Sequence, residues 1–232
     1  MEIRLSKKPQ KPTIIEGFPG FGLIGTITTE FLIEHLKAEL IGEFIYEELP
    51  PTLAIHKEKI VNPMGIFYDK KNNLVILHTI LNVIGKEWKV AEAVEDMAKK
   101  LKAKEIICIE GVSSPIPTNQ SRVFYYCKKD NKSLGKIAEP LKESIIMGVT
   151  AALMLRTGIP LTCLLAETHS QLPDSKAAAK IIEALDKYIG LNVDYKPLLK
   201  QAQEFEQKFK KILEQTAIAG KERDKKALSY VG

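Results

Sequence analysis

The sequence is short of cysteine and of aromatic side chains and has no long apolar run, and each shortage closes off a class of protein. Three cysteines, Cys108, Cys127 and Cys163, make an odd number in 232 residues, and no two form a CxxC pair. A disulfide framework and a zinc knuckle are both excluded on that count. Cys108 and Cys163 stand inside the apolar stretches Ile106-Ile107-Cys108-Ile109 and Leu161-Thr162-Cys163-Leu164, where a thiol acts as a small hydrophobe. Aromatic residues make up 7% of the chain, and no basic block is interleaved with them, so no nucleic-acid partner is expected. The longest apolar run, 145–155, contains Gly148 and Thr150 and falls short of the ~20 residues of a membrane span. The start, Met1-Glu2-Ile3-Arg4-Leu5, has no apolar signal core. The expectation is a cytoplasmic protein that contacts no membrane.

What is present has an ordinary globular balance. Hydrophobic residues are 45% and charged residues 27%, with a net charge of +5, and lysines alternate with glutamates as on solvated helices. A chain this long buries roughly 70% of its unfolded surface and needs no metal to hold a core. Apolar or alternating stretches predict strands over 12–16, 40–46, 53–61, 66–68, 74–80, 105–109, 122–127 and 161–166. Helical spacing predicts helices over 23–36 and 88–101. Residues 111–120 read as a loop, and 144–157 as a short strand and helix capped by Gly158 and stopped by Pro160. Asp174 is the expected N-cap of a last helix over 175–189, and Gly190 its end. Strands alternating with helices, several of them continuous apolar runs, predict a three-layer α/β/α sandwich over 1–190. Its sheet is expected to be mixed because of the hairpin-like middle section.

After Gly190 the pattern changes. Leu198, Ala202, Phe205, Phe209, Ile212 and Thr216 recur in steps of 4, 3, 4, 3 and 4, which is heptad spacing. Glu204 with Lys208 and Glu206 with Lys210 are i,i+4 pairs that support a helix by ~0.2–0.5 kcal/mol each. Residues 191–217 therefore read either as a helix packed on its own domain or as an oligomerisation segment lying against neighbouring copies. Residues 218–232 read as a flexible tether of mixed charge ending in Leu228-Ser229-Tyr230-Val231-Gly232. This is either an apolar tip offered to a partner or a frayed terminus.

One run invites a chemical reading. Within Gly17-Phe18-Pro19-Gly20-Phe21-Gly22-Leu23-Ile24-Gly25, the glycines at 20, 22 and 25 spell G-x-G-x-x-G between a predicted strand and helix. Glu43, Glu47 and Glu48 follow at about the distance of a ribose-binding carboxylate. The greasy Phe18, Pro19 and Phe21 instead suit a tight turn with close packing, and there is no Walker A lysine. Other polar groups stand just after predicted strands: His78-Thr79, Gly111-Val112-Ser113-Ser114 and Glu167-Thr168-His169. Glu167 and His169 are the acid–base candidates. No G-x-S-x-G elbow presents Ser113 or Ser114 as a nucleophile, and no metal-ligand set is spelled out. No catalytic residue, cofactor or metal is assigned, and His35 and His56 are read as surface or satisfied residues.

Three stretches together resemble the proteasome assembly chaperone family as found in archaea. They are Glu16-Gly17-Phe18-Pro19-Gly20-Phe21-Gly22-Leu23-Ile24-Gly25, Glu110-Gly111-Val112, and Leu164-Leu165-Ala166-Glu167-Thr168 followed by Asp174 and Ala177-Ala178. The resemblance spans roughly residues 10–215. It implies a sandwich similar to nucleoside phosphorylases without an established catalytic site, and a homo- or hetero-oligomeric chaperone or activator contacting the α-ring of the 20S proteasome. Such proteins resemble the proteasome's ATPase partners in ending on a hydrophobic–Tyr–any-residue motif, whereas here Tyr230 is third from the end. The expected function is a non-enzymatic, ring-like homo-oligomer built through Leu198, Ala202, Phe205, Phe209 and Ile212. It would grip proteasome α subunits or a related assembly chaperone through Leu228, Tyr230, Val231 and Gly232. The alternative is a nucleotide- or nucleoside-binding enzyme using the Gly20–Gly22–Gly25 loop with Glu167 and His169.

Overall fold

A computed structural model describes residues 1–46, 63–113, 121–128, 131, 133–168 and 172–197, together with the backbone of 54–56 and 59–61. Its strands are β1 (Glu2–Leu5), β2 (Thr13–Gly17), β3 (Glu39–Ile45), β4 (Ala54–His56), β5 (Lys59–Val61), β6 (Met64–Asp69), β7 (Leu74–Thr79), β8 (Glu105–Ser113), β9 (Val123–Cys127), β10 (Glu139–Pro140) and β11 (Leu161–Thr168). Its helices are α1 (Ile24–Leu36), α2 (Glu87–Leu101), α3 (Gly148–Arg156) and α4 (Ser175–Ile189). Nine strands form one sheet in the order β1-β3-β6-β7-β2-β8-β11-β9-β10. The centre, β7-β2-β8-β11, is parallel, and the flanks are antiparallel apart from the short β9/β10 pair.

The central strands are buried on both faces, which is why they read as unbroken apolar runs. Side chains alternate across the pleat. Ile14, Val75, Leu77, Ile106, Cys108, Cys163 and Leu165 pack with α2 and α3. Ile15, Leu74, Ile76, Ile107, Ile109, Leu164 and Ala166 pack with α1 and α4. Two cores separated by one sheet make a three-layer α/β/α sandwich. On α2 the stripe Val90, Ala91, Val94, Met97, Ala98 and Leu101 is buried, with Glu87 in the first turn and Lys99 and Lys100 in the last, charges that complement the helix dipole. The α4 ends follow the sequence: Asp174 accepts from the Ala177 N–H, and Gly190 adopts the left-handed conformation at φ 69°. The cap contributes ~1 kcal/mol.

Three expected boundaries differ. The alternating stretch 53–61 is two strands, β4 and β5, paired as a hairpin with His56 opposite Lys59. The start of the loop expected at 111–120 is strand instead, because Gly111, Val112 and Ser113 pair in parallel with Ala166, Glu167 and Thr168. No strand precedes α3 within 144–147, and α3 ends at an extended Thr157 (φ −73°, ψ 137°) rather than on Gly158. Thr157 Oγ1 there accepts from the Ile159 N–H at 3.1 Å.

Candidate functional site

The carboxyl ends of β7, β2, β8 and β11 lie side by side, the place where open α/β sheets carry their ligands. In β2 the run Ile14-Ile15 ends in Glu16, and in β8 the run Ile106–Ile109 ends in Glu110. The strands are adjacent, with Glu16 opposite Cys108, and the pleat turns Glu16 and Glu110 to the same face. Glu16 is completely buried. Thr150, in the first turn of α3, reaches down between them, with Oγ1 at 3.0 Å from Glu16 Oε2 and 2.8 Å from Glu110 Oε1. The Phe18 N–H donates to Glu16 Oε1 at 3.2 Å.

Burial, followed by the neighbouring Glu16 charge, raises the Glu110 carboxyl to about 8. Burial also raises Glu16, against the bonds it receives from Cys108, Thr150 and the Phe18 N–H. The Cys108 thiol is pushed well up by its hydrogen bond to Cys163, by burial and by the Glu16 carboxylate. Cys108 and Cys163 are both fully buried in the core, so neither is presented as a nucleophile.

The glycine run wraps this pair. A Cβ on Gly20 would collide with the Glu110 carboxylate, one on Gly111 with the Phe21 carbonyl, and one on Gly25 would lie 2.7 Å from the Ile109 carbonyl oxygen. Gly22 has φ 67°, a Cβ there would lie 3.0 Å from the Thr168 methyl group, and the Gly22 carbonyl accepts from the Asp174 N–H at 3.0 Å. The Asp174 carboxylate accepts from the Thr168 hydroxyl at 2.7 Å, so one residue, through its backbone N–H and its carboxylate, ties the glycine turn, β11 and α4 together. The glycines thus let backbone meet backbone at a strand-to-helix turn. The Glu110 carboxylate stands against Gly20, the first glycine of the G-x-G-x-x-G run, and Glu43 lies on β3, separated from β2 by β6 and β7.

The remaining strand-end groups are engaged with one another. Arg122 holds Glu167 in a fork, Nε to Oε2 at 3.0 Å and Nη2 to Oε1 at 2.9 Å, and stacks over Phe124. His78 lies on the α1 side between Thr29 Oγ1 (2.9 Å) and Glu30 Oε2 (3.1 Å). Thr79 accepts from the Leu81 N–H. Among the described residues no three His, Cys, Asp or Glu side chains are grouped to hold a metal ion, and no helix is long and apolar enough to cross a membrane. His169, Ser114, Glu47, Glu48, the heptad residues Leu198, Ala202, Phe205, Phe209 and Ile212, and the tail residues Leu228, Tyr230, Val231 and Gly232 lie outside the described residues. Glu16 and Glu110 stand in separate sequence motifs that nothing local pairs. The available signal was a carboxylate closing an otherwise unbroken apolar strand, which occurs at both positions.

Around the same edge stand large apolar side chains in contact with water: Ile84 (77% exposed) and Trp88 (56%) after β7, Leu172 (63%) after β11, and Ile145 (87%) and Met147 (76%) before α3.

The layer order and the glycine turn packed against a buried carboxylate pair define an α/β/α sandwich protein. The chain belongs to the PAC2 family, whose model matches residues 14–213. It is similar to a Pyrococcus furiosus protein, PbaA, an archaeal homolog of proteasome-assembly chaperone. That match has a TM-score of 0.82 at 29% identity and covers 94% of this chain and 99% of the other. It is also similar to Pyrococcus furiosus PbaB, an archaeal proteasome activator, at a TM-score of 0.74 and 26% identity over 91% and 98% of the two chains. An uncharacterized protein of Methanocaldococcus jannaschii is 26% identical over 211 residues, 89% of this chain and 87% of its own length.

Proposed function

We propose that this chain is a non-enzymatic assembly chaperone or activator for the proteasome, working as a ring-like homo-oligomer that grips α subunits or a related assembly chaperone. The observation that carries the reading is the end-to-end likeness to PbaA, 94% of one chain on 99% of the other; the likeness to PbaB points to the same partner. One contact at the carboxyl edge supports it: Glu167, the acid–base candidate within the described residues, is held by Arg122. The exposed apolar residues around that edge suit contact with a protein. In this reading Leu198, Ala202, Phe205, Phe209 and Ile212 join the copies, and Leu228, Tyr230, Val231 and Gly232 contact the partner.

The test is a pull-down with the immobilised full chain against recombinant 20S α subunits and, separately, against a related assembly chaperone. Capture of either supports the proposal, and capture of neither overturns it. A second outcome follows from the glycine turn. A ligand at 100 times its Kd adds ~2.7 kcal/mol of stability, so a thermal-shift panel of adenine nucleotides and nucleosides should leave Tm unchanged. A shift of several degrees with any of them would favour the enzyme reading instead.

A further inference from the structure

We infer that Glu16 and Glu110 share one proton at neutral pH, and that this proton seats the first turn of α3 on the sheet. The inference rests on counting hydrogens and stands whatever partner the molecule has. Thr150 Oγ1 is within bonding distance of both carboxyl groups, 3.0 Å from Glu16 and 2.8 Å from Glu110. A hydroxyl has one hydrogen and donates once. If both glutamates were ionised, one of these contacts would set a lone pair against a lone pair. One carboxyl group must therefore donate to Thr150 while the other accepts from it. Besides Thr150, Glu16 receives the Phe18 N–H and the Cys108 thiol, and Glu110 receives the Gly111 N–H; the extra donor suits Glu16 to be the ionised member, and the shorter contact then runs from a Glu110 O–H to Thr150. The pair titrates as a unit, so the proton belongs to both.

The surroundings supply no counter-charge. Among the described residues the groups facing the pair are the Cys108 thiol and the Gly111 N–H from β8, with Cys163 from β11 behind the thiol, Thr150 from α3, and the Phe18 N–H and Gly20 from the glycine turn. None is a cation. Two like charges a hydroxyl's width apart with no cation between them repel strongly.

Loss of the shared proton has a definite place to act. The far end of α3 is clipped to α2, Arg156 Nε to Glu95 Oε2 at 2.9 Å. Its first turn meets the sheet through the polar contact of Thr150 beside the buried Val149, and α3 has only nine residues. Repulsion between Glu16 and Glu110 lifts that turn, with the exposed Met147 before it. The sign of the linkage follows. The folded pair keeps a proton that the unfolded chain has released above the ordinary carboxyl value of 4.5. The pair's own contribution to stability is thus full below about 4.5, falls as pH rises toward about 8, and is flat beyond.

The test uses the full chain and its Glu110→Gln variant, whose amide donates to Thr150 without titrating. The wild-type Tm should fall by roughly 5 °C or more between pH 5 and pH 9, and the variant should lose most of that slope. Amide exchange over 148–152, corrected for intrinsic rate, should quicken at pH 9 in the wild type and not in the variant. Carbon-13 spectra of the glutamate-labelled wild type provide a readout that needs no variant: one side-chain carboxyl should keep its protonated shift at pH 7. Parallel melting curves, unchanged exchange over 148–152, or complete ionisation of all glutamates by pH 6.5 would each overturn the inference.

Discussion

Deleting residues 228–232 is expected to cost at least 100-fold in apparent affinity for 20S α subunits and to leave the number of copies in the oligomer unchanged. The expectation follows from the proposed division of labour, in which 198–212 joins the copies and Leu228, Tyr230 and Val231 anchor each tail. Burying an apolar side chain of this size yields ~1.5–3 kcal/mol, from which the ordering of a flexible segment must be subtracted. One tail is therefore a weak ligand. Several tails on one ring raise avidity by ~10²–10⁴ through effective concentration, and their removal cancels the whole gain at once. Tyr230→Ala should give most of the loss, since an amphipathic ring is the largest anchor in the segment. Sizing and surface-binding measurements on the truncated chain separate the two roles. Undiminished binding would remove the tail from the account, and a collapse of the oligomer would place the subunit contact in the wrong segment.

The second large effect concerns stability. Gly111→Ala and Gly25→Ala should each lower Tm by about 5–10 °C, from overpacking costs of ~1–3 kcal/mol or more at ~2–4 °C per kcal/mol for a chain of this size. At Gly111 the new methyl group overlaps the Phe21 carbonyl, and at Gly25 it sits 2.7 Å from the Ile109 carbonyl oxygen and 2.9 Å from that of Phe18. Backbone atoms of a central strand and its turn cannot step aside as a flexible side chain does. Gly25 makes the sign informative, because it lies inside α1, where helix propensity alone would favour alanine by ~1 kcal/mol. Gly158→Ala is the control: nothing lies within 4 Å of its Cβ position, and its Tm should stay within a degree or two of the wild type. Equal melting of all three variants would mean that the glycine turn is not packed as described.

Much of the fold was legible because its signals are local. Asp174 and Gly190 bracket α4 in the sequence and in space. The central strands announced themselves as continuous apolar runs because helices cover both their faces. What was missed depends on distant pairing. β1 is four residues long and exists because Glu2–Leu5 lies antiparallel to residues 42–45 of β3. Gly111 reads as a loop residue until its neighbour in β11 is known, more than fifty residues later. The stretch 53–61 alternates like one strand and has no glycine, proline or asparagine to mark the hairpin between β4 and β5. The site shows the same limit. Glu16, Glu110 and Thr150 meet only because β2 and β8 are adjacent and α3 starts above them, and Thr150 is 134 residues from Glu16. Strand order is the missing information, and periodicity does not carry it. Glu167 looked available as an acid or base because its partner Arg122 is 45 residues away.

The central claim, that the molecule is a multivalent platform for another polypeptide, is tested most directly by native mass spectrometry of the full chain, alone and mixed with proteasome α subunits. The account predicts a homo-oligomer by itself and, in the mixture, new species whose masses add α subunits to that oligomer. A monomer that acquires no α subunit at any mixing ratio would contradict it.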